Sequence, residues 1–264
     1  MCKSMCEILT CEPIGYFHGI LSEKYMAPRQ ANLAIDNSNG LIILNPGCNY
    51  EQALEDLTGF EHIWVIYWFN RNASWKTKVT TPRNGPNRGL FATRSPHRPN
   101  PIGLSCVPLI GIKGRELHIG KNDLLNNTPI LDIKPYLAYA DSFPHSKQGW
   151  VNDAPQNHYA IQWSSIAFQQ AEFIAVEQQF PLIETVTLRL QDNPFPFKNH
   201  RIKKIAENEF MLAIKTWRLL FEVDLLVVKI QKICSGYDQE TMSGQKTSRW
   251  DDVHIHRKFL SKFS

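Results

Sequence analysis

The sequence predicts a mainly β fold, in which an N-terminal β-barrel domain is followed by a small α+β C-terminal domain. Short β-type segments separated by Gly, Pro and Asn clusters fill the first half, and helical patterns become prominent only in the second half. Closure into a barrel would remove the exposed edges of these strands. The expected boundaries are 1–155 for the barrel, 164–234 for the α+β domain and 235–264 for a polar C-terminal tail.

The strand patterns of the first half, taken in order, cover Ile14–Phe17, Gly40–Leu44, His62–Phe69, Gly89–Ala92, Gly103–Ile112 and Arg115–Ile119. Lys113 and Gly114 predict a hairpin between the last two segments. The convincing helix of this half runs from Tyr50 to Leu57, where Asn49 and Gln52 would form a capping box. Strands and helices do not alternate and no GxGxxG motif opens a helix, which argues against a Rossmann-type domain.

The second half begins with helical patterns and continues with strand patterns. Ser165–Phe180 is patterned as an amphipathic helix that Pro181 ends, and a second short helix is predicted over Leu182–Leu190. Phe210–Val223 and Leu225–Ile233 are strand-like and predict a terminal hairpin. The remaining residues are polar and weakly patterned, so we expect partial order at best in the tail.

Composition predicts a cytoplasmic globular protein. The 43% of hydrophobic residues suffices for a sizeable core, and no run approaches the ~18 apolar residues of a membrane span. Lys3, Glu7 and Glu12 interrupt the N-terminal segment before a signal peptide can develop. The 6 cysteines include no CxxC pair, so we interpret them as reduced thiols and expect no metal site.

The net charge of +4 is small, but basic residues are unevenly distributed. Residues 71–101 contain no acid, while their bases are Arg71, Lys76, Lys78, Arg83, Arg88, Arg94 and Arg98. This segment is either a polyanion-binding surface or a solvated basic loop, and charge alone weighs the two about equally. A second basic cluster enters the strand region of the C-terminal domain and consists of Lys198, Arg201, Lys203 and Lys204.

Thr93–Ser105, with the sequence TRSPHRPNPIGLS, carries most of the functional argument, and we call it the proline strap. Its prolines fix their own φ angles and push the preceding residues toward extended conformations, so the strap is stiff. Arg94 and Arg98 are thereby presented on a rigid frame, where a guanidinium can bind a carboxylate or phosphate through two parallel hydrogen bonds. Gly103 would let a ligand approach the main chain. The alternative is a rigid structural turn with two surface arginines.

Together with three further motifs, the strap closely resembles the TsaA-like, or TrmO, family of tRNA methyltransferases. The other motifs are PRQ at 28–30, GFEHIWVIYWF at Gly59–Phe69 and NNTPILDIKPY at Asn126–Tyr136, in the family's order over roughly Pro13–Asp141. The resemblance implies an S-adenosylmethionine-dependent enzyme with a β-barrel catalytic domain, usually a homodimer. It further implies methylation of N6 in N6-threonylcarbamoyladenosine, next to the anticodon at position 37 of tRNA.

By matching positions, the resemblance implies cofactor contacts at Pro28, Arg29, Gln30, Asn70, Arg71, Arg94, Leu104, Asn126, Asn127, Thr128 and Pro129. On charge grounds, tRNA is expected to contact Arg83, Arg88, Arg98, Lys198, Arg201, Lys203 and Lys204. Two departures stand out. Asn70 occupies a position where many relatives have His, and Asn126 and Asn127 stand where relatives tend to have Asp and Gly. Since Asn adopts left-handed backbone geometry more readily than most residues, the turn is expected to persist.

Methyl transfer from a sulfonium to nitrogen needs donor and acceptor held in line, and it requires no covalent nucleophile. A proton must leave N6, so a base or a water relay is needed. The sequence does not identify this group. Asp132 and Tyr136 are weak candidates, because an Asp within a strand-like segment is more often structural. Two other functions stay open: a non-catalytic RNA-binding barrel, and a methyltransferase acting on another RNA or a small molecule.

Overall fold

The computed structural model describes residues 9–22, 28, 30–31, 34, 39–81, 86–153, 158–196 and 201–263. The chain divides into two compact units, with the division near residue 148. The mainly β class predicted from the sequence is confirmed, and the first unit contains a closed barrel. No helix within the described ranges combines the length and the apolar character needed to cross a membrane.

The first unit is built around antiparallel strands. Its strands are β1 (Gly15–His18), β2 (Gly40–Leu44), β3 (His62–Trp68), β4 (Lys78–Thr80), β5 (Asn87–Gly89), β6 (Ile102–Lys113), β7 (Glu116–Ile119) and β8 (Thr128–Pro135). The barrel closes in the order β1-β2-β7-β6-β3-β8, with β8 returning to β1, and each neighbouring pair is antiparallel. Strands β4 and β5 pair with each other outside the barrel.

Alternating side chains fill the barrel. Along β3 the buried positions are Ile63, Val65 and Tyr67, as a two-residue period predicts for a strand with one buried face. They join a core contributed by the other barrel strands, which includes Phe17, Ile42, Leu44, Val107, Leu117, Ile119 and Ile130. Full burial of an aliphatic or aromatic side chain contributes about 1.5–3 kcal/mol, so this interior is the main source of the barrel's stability.

Three connecting segments meet at one end of the barrel, and we call this end the rim. Segment 19–39 joins β1 to β2, segment 69–101 joins β3 to β6 and segment 120–127 joins β7 to β8. The antiparallel registers bring the end of β1, the start of β2 and the start of β8 to the same end as the end of β3 and the start of β6. The proline strap therefore belongs to the rim.

The helix of the first half is shorter than predicted. It runs over Tyr50–Ala53 (α1), and the expected capping box is wrong. Asn49 has φ 54°, in the left-handed region; its amide donates to Gln52 Oε1 at 2.7 Å, and its side-chain oxygen accepts no main-chain N–H of the helix. Residues that cap a helix N-terminus typically have extended backbone geometry, which Asn49 does not adopt.

The strand predicted over Gly89–Ala92 is also wrong. Residues Leu90–Ala92 form a short 3-10 turn, because the Thr93 N–H donates to the Leu90 carbonyl at 3.0 Å and the Thr93 hydroxyl donates to the same oxygen at 2.8 Å. This turn carries the chain from β5 into the proline strap. A further helix of the first unit, α2 (Ala138–Asp141), follows β8.

The second unit combines a mixed sheet with helices. Its elements are β9 (Ala160–Trp163), α3 (Ser165–Gln178), α4 (Leu182–Leu190), β10 (Ile202–Lys204), β11 (Glu209–Ile214), β12 (Trp217–Asp224), β13 (Val227–Ser235), α5 (Gln239–Ser243) and α6 (Val253–Phe263). The sheet order is β10-β11-β12-β13-β9, and β9 lies parallel to β13. Helix α3 packs on β13, α4 and α6. Ser164 caps α3 by accepting the Ala167 N–H at 3.1 Å.

The structure differs from the sequence-based expectation at the C-terminal end. The segment expected as a partly ordered polar tail forms α5 and α6, and α6 buries Ile255, His256 and Phe259. Several of its polar side chains bind one another inside the unit; Tyr237, for example, donates its hydroxyl to Asp252. The polar composition therefore serves an internal hydrogen-bond network and does not mark a solvated tail.

Candidate functional site at the rim of the barrel

Arg71 joins the three rim segments. Its guanidinium donates to the carbonyl oxygen of Ser22 in segment 19–39 and to that of Asn126 in segment 120–127. Asn126 also accepts the Gly19 N–H through its side-chain oxygen at 3.2 Å and donates its own N–H to the Leu21 carbonyl at 2.6 Å. A planar guanidinium can hold two carbonyl groups at fixed angles. The clamp thus fixes main-chain atoms from three separate segments around one place.

The turn that precedes β8 keeps its shape without glycine. Asn127 has φ 62°, so the left-handed conformation expected from the sequence is confirmed. Its N–H donates to the Phe17 carbonyl at 2.8 Å. Thr128 closes the turn by donating both its N–H, at 3.1 Å, and its hydroxyl, at 2.6 Å, to the Leu125 carbonyl. Thr128 and Pro129 are buried, whereas Asn127 is exposed at the rim.

The proline strap runs beside residues 69–76. The Phe69 N–H donates to the Pro101 carbonyl at 2.7 Å, and the Lys76 N–H donates to the His97 carbonyl at 3.2 Å. Between them, the Asn72 amide donates to the Pro96 carbonyl at 3.3 Å. These bonds use strap carbonyls as acceptors, because the prolines have no N–H to offer. The first and last parts of segment 69–101 are therefore hydrogen-bonded to each other along the rim.

The two strap arginines have different environments. Arg98 donates to the Thr93 carbonyl at 2.9 Å, and its guanidinium lies 5.8 Å from the centre of the Phe91 ring. Arg94 is exposed, and its positive charge opposes, in small part, the burial that raises the pKa of the Asp123 carboxyl. Arg98 is therefore partly used in holding the strap, while the exposed guanidinium beside segment 120–127 is that of Arg94.

A chain of hydroxyl groups leads from the barrel interior to Asp123. The Ser105 hydroxyl donates to Asp123 Oδ1 at 2.6 Å, and the Tyr67 hydroxyl lies 3.2 Å from Ser105 Oγ. A carboxylate only accepts hydrogen bonds, so the Ser105 proton points to Asp123 and the Tyr67 hydroxyl donates to Ser105. Asp123 belongs to none of the quoted motifs and was not predicted as a site residue.

Both ends of this hydroxyl chain have a raised pKa. Burial raises the pKa of Asp123 above its usual range, although the hydrogen bond from Ser105 and the charge of Arg94 act in the lowering direction. Burial, followed by the negative charge of Asp123, raises the pKa of Tyr67, so its phenol stays protonated at physiological pH. The rim therefore holds a partly buried carboxyl with elevated proton affinity next to an exposed guanidinium.

Gly103 does not admit a ligand, and that expectation is wrong. A Cβ atom at this position would lie 2.3 Å from Cε2 of the Tyr67 ring, so the side chain of Tyr67 already occupies the space. The residue pair is also in register across β3 and β6. The glycine is required by the packing that places the Tyr67 hydroxyl on Ser105.

Several predicted cofactor residues lie on or near the rim without a described side-chain contact. Pro28 is half-buried and Gln30 is exposed in segment 19–39, and Arg29 falls outside the described residues. Asn70 is exposed after β3, and its N–H donates to the Trp68 carbonyl at 2.8 Å. Topology thus brings the positions from the separate motifs to one end of the barrel.

Leu104 lies on the outward face of β6, in register with Ile66 of β3, and 57% of its surface is exposed. This position belongs to the part of the strap that forms the start of β6, and it lies outside the barrel interior. The neighbouring outward residues Ile102 and Trp68 are in register with each other and are also exposed. Together they form an apolar strip that begins at the rim.

The two weak catalytic candidates are not brought to the rim. Asp132 lies in register with Ile66 and forms an ion pair with Lys134 at 3.0 Å. Tyr136 follows the last residue of β8, at the opposite end of the barrel, where its N–H donates to the His62 carbonyl at 3.1 Å. Its ring centre is 5.8 Å from that of Trp64. Both residues have structural partners away from the proline strap.

The expected RNA-contacting residues occupy two separate regions. Arg88 is half-buried on β5, and Arg201, Lys203 and Lys204 are exposed at β10 of the second unit. Arg83 and Lys198 fall outside the described residues. Two exposed aromatic residues lie within the acid-free segment: Trp75 is 52% exposed and Phe91 is 78% exposed. Sequence analysis did not single out these rings.

Comparisons with known proteins identify the family of the chain. Residues 16–142 match the family described as tRNA-methyltransferase O N-terminal domain. The chain is 39% identical over 188 residues to the putative S-adenosylmethionine-dependent methyltransferase RcsF of Pseudomonas aeruginosa, covering 70% of this chain and 80% of that protein. It is 34% identical over 195 residues to the tRNA (adenine(37)-N6)-methyltransferase of Escherichia coli K12, covering 70% of this chain and 81% of that protein.

Similarity extends to the fold. The crystal structure of TrmO from Pseudomonas aeruginosa aligns with a TM-score of 0.61 and 30% sequence identity, covering 88% of this chain and 100% of that chain. The family match at residues 16–142 includes the three rim segments and all barrel strands except the first residue of β1.

Proposed function

The chain belongs to the tRNA-methyltransferase O family, and we propose that it transfers a methyl group from S-adenosylmethionine to N6 of N6-threonylcarbamoyladenosine at position 37 of tRNA. One observation carries the assignment to this site: the motif positions converge on the rim, where Arg71 ties segments 19–39, 69–101 and 120–127 together. The names of the relatives support the cofactor and adenine 37 as the acceptor. The threonylcarbamoyl group on that adenine is proposed from the resemblance of the sequence motifs.

The residues of the rim suit the cofactor. S-adenosylmethionine has a carboxylate that an exposed guanidinium can bind, and Arg94 presents one on the stiff strap. Its adenosyl portion needs hydrogen-bond partners at fixed positions. The turn at Asn126–Thr128, held by the Arg71 clamp, supplies main-chain carbonyl oxygens, since its N–H groups already donate to Leu21, Phe17 and Leu125. When bound, the cofactor supplies the electrophilic methyl group. The protein orients the acceptor nitrogen toward it and excludes competing geometries.

The tRNA approaches over the acid-free segment. Its phosphates are bound by the basic residues there, among them Arg88, and contacts of this kind position RNA without reading its sequence. Phe91 offers an exposed ring with the Arg98 guanidinium beside it, and unpaired loop bases stack on such surfaces. The exposed basic residues at β10 of the second unit, Arg201, Lys203 and Lys204, provide a further phosphate-binding region.

A homodimer in the cytoplasm is the proposed working form. The outward strip of β3 and β6 exposes apolar side chains on a folded surface, including Trp68, Ile102, Leu104 and Ile110, at 44%, 43%, 57% and 59%. Contiguous apolar patches on soluble proteins mark interaction surfaces, and a second copy would cover this one. The free thiols of Cys11, Cys48, Cys106 and Cys234 suit a reducing compartment. Light scattering should give twice the chain mass, and Ile110→Asp should reduce it to the monomer value.

The function is tested with purified protein, S-adenosylmethionine labelled in the methyl group and tRNA from a strain that lacks the modification. The expected result is label in tRNA, and mass spectrometry of the digested nucleosides should find methylated N6-threonylcarbamoyladenosine. Label in an unmodified adenosine or in another RNA would redirect the substrate assignment. Binding of tRNA without transfer would support the non-catalytic barrel. The turn at Asn127 keeps its left-handed geometry and so gives no structural reason to expect a loss of activity.

A further inference from the structure

We propose that Asp123 is a catalytic residue that accepts the proton leaving N6 during methyl transfer, with Ser105 and Tyr67 as positioning residues behind it. The inference rests on the proposed function, which requires a proton acceptor that the family motifs in this sequence do not identify. It names the residue that would complete the reaction.

Position is the first argument. Asp123 lies in segment 120–127, three residues before Asn126, which the Arg71 clamp holds. It is near enough to Arg94 for the two charges to interact. Among the described residues of the three rim segments, Asp123 is the only one with a carboxyl side chain. The earlier candidates Asp132 and Tyr136 have their partners elsewhere on the barrel. The reaction site therefore has one described carboxylate within its own walls.

The hydrogen-bond geometry is the second argument. Ser105 donates to Oδ1 at 2.6 Å and is itself held by the buried Tyr67 hydroxyl at 3.2 Å, so one carboxylate oxygen is fixed in direction. Packing of Tyr67 against Gly103 fixes the far end of this chain. Proton transfer requires an acceptor within hydrogen-bond reach and in a defined orientation, which a chain of donors anchored in the core provides.

Electrostatics is the third argument. Burial raises the pKa of Asp123, and the charged and titratable groups facing it are Arg94 from the strap and Tyr67 from β3. Arg94 is exposed, so its pull on the carboxylate is weakened by solvent. A base is most effective when its pKa approaches the working pH, and an elevated carboxyl pKa moves in that direction.

The step balances in atoms and electrons. The nitrogen lone pair of N6 forms a bond to the methyl carbon, and the carbon–sulfur bond breaks with its electron pair going to sulfur, which becomes a neutral thioether. The N6–H bond then gives its electrons back to nitrogen while the proton moves to the Asp123 carboxylate. The proton then passes from Asp123 to water, which restores the Asp123 carboxylate near the Arg94 guanidinium. No oxidant or additional reactant is needed.

Asp123→Asn tests the proposal, because the amide keeps the shape of the side chain and its oxygen still accepts from Ser105. The expected result is a fall in kcat of about 100-fold or more, with cofactor and tRNA dissociation constants within about threefold of wild type. The wild-type rate should rise with pH as Asp123 ionises, and the variant should lack that rise. Ser105→Ala should move the rise to higher pH, because it removes a hydrogen bond that lowers the pKa of Asp123.

Three results would overturn the proposal. A near-normal kcat in Asp123→Asn would remove the carboxylate from the chemistry. Cofactor binding weakened by the same factor as the rate would make Asp123 a cofactor anchor. Loss of the pH-dependent rise in His97→Asn, with its retention in Asp123→Asn, would assign the proton to the strap histidine. Wild-type protein that transfers no methyl group refutes the proposed function itself, which separates that failure from the other three.

Discussion

The imidazole of His256 lies flat against the indole of Trp217, with 3.6 Å between the ring centres and 7° between the ring planes. Its Nε2 is 2.9 Å from the Thr216 hydroxyl, which donates its proton to Asp252 at 2.6 Å. The Nε2–H must therefore be the donor to Thr216, and Nδ1 accepts from the Ser235 hydroxyl at 2.7 Å. The neutral tautomer fits this network and fastens α6 to the sheet of the second unit.

Acidification is expected to weaken the second unit through His256. Burial lowers the pKa of this imidazole from 6.5 to about 4; the charge of Asp252 opposes the shift and that of Arg218 adds to it. Between these values the unfolded chain binds a proton that the folded chain does not, so the stabilisation is complete above pH 6.5 and is lost as the pH falls toward 4. The free energy of unfolding should decrease by up to about 3 kcal/mol, measured by urea denaturation across this range.

A matched pair of variants isolates the effect. His254 is exposed on the same helix, so His254→Ala should keep the wild-type pH dependence. His256→Asn should lower the free energy of unfolding at pH 7, because it leaves buried partners unsatisfied, and it should flatten the dependence in this range. A steep dependence that persists in His256→Asn would assign the acid sensitivity to carboxyl groups.

This network could not be predicted from the sequence. Thr216 lies between β11 and β12, Ser235 ends β13, Asp252 precedes α6 and His256 lies within α6. The polar character of residues 235–264 led to the expectation of a tail. Helix α6 becomes ordered because each of these polar groups finds a partner that is distant in the sequence. Local patterns carry no information about such pairing.

The barrel was predictable for the opposite reason. The alternation of buried and exposed positions over His62–Trp68 is a local property, and so is the hairpin between β6 and β7. Its turn, predicted at Lys113 and Gly114, lies one residue later, at Gly114 and Arg115. The residues expected to bind the cofactor were predicted from the family motifs, and several of them lie at the rim. Asp123 escaped notice because its burial depends on Ser105 of β6 and on the closure of the barrel, neither of which its neighbours in the sequence reveal.

Gly103→Ala is expected to destabilise the first unit by about 1–3 kcal/mol, because the new methyl group overlaps the Tyr67 ring. The displacement should also separate the Tyr67 hydroxyl from Ser105 and lower the methylation rate. Gly111→Ala on the same strand is the control, since a Cβ there meets nothing within 4 Å. Thermal unfolding of both variants checks the prediction. Equal stability of the two would contradict the packing role of Gly103.

Arg94→Ala should weaken S-adenosylmethionine binding about tenfold or more, as expected for the loss of a charged hydrogen-bond partner. The fold should persist, because the Arg94 side chain is exposed. Removal of its positive charge should also raise the pKa of Asp123 further and shift the rise of the rate to higher pH. Calorimetry measures the affinity, with exposed Lys76→Ala as the control. Unchanged binding in Arg94→Ala would exclude this guanidinium from the cofactor site.

Phe91→Ala tests the approach of RNA. Stacking of a base on an aromatic ring contributes about 1–3 kcal/mol, so tRNA affinity should fall at least fivefold while cofactor affinity stays unchanged. Tyr139→Ala is the control, because this ring is 88% exposed on α2, which follows β8 at the end of the barrel opposite the rim.

Salt distinguishes stacking from charge in the same experiment. Phosphate contacts release counterions, so the affinity of wild-type protein should decrease steeply between low and physiological salt. Phe91→Ala should lower the affinity by a similar factor at every salt concentration, whereas Lys78→Ala on β4 should reduce the slope. If Phe91→Ala changed the mass of the assembly measured by light scattering and left tRNA binding intact, the ring would belong to an interface between copies. Stacking requires the reverse: unchanged mass with weaker binding.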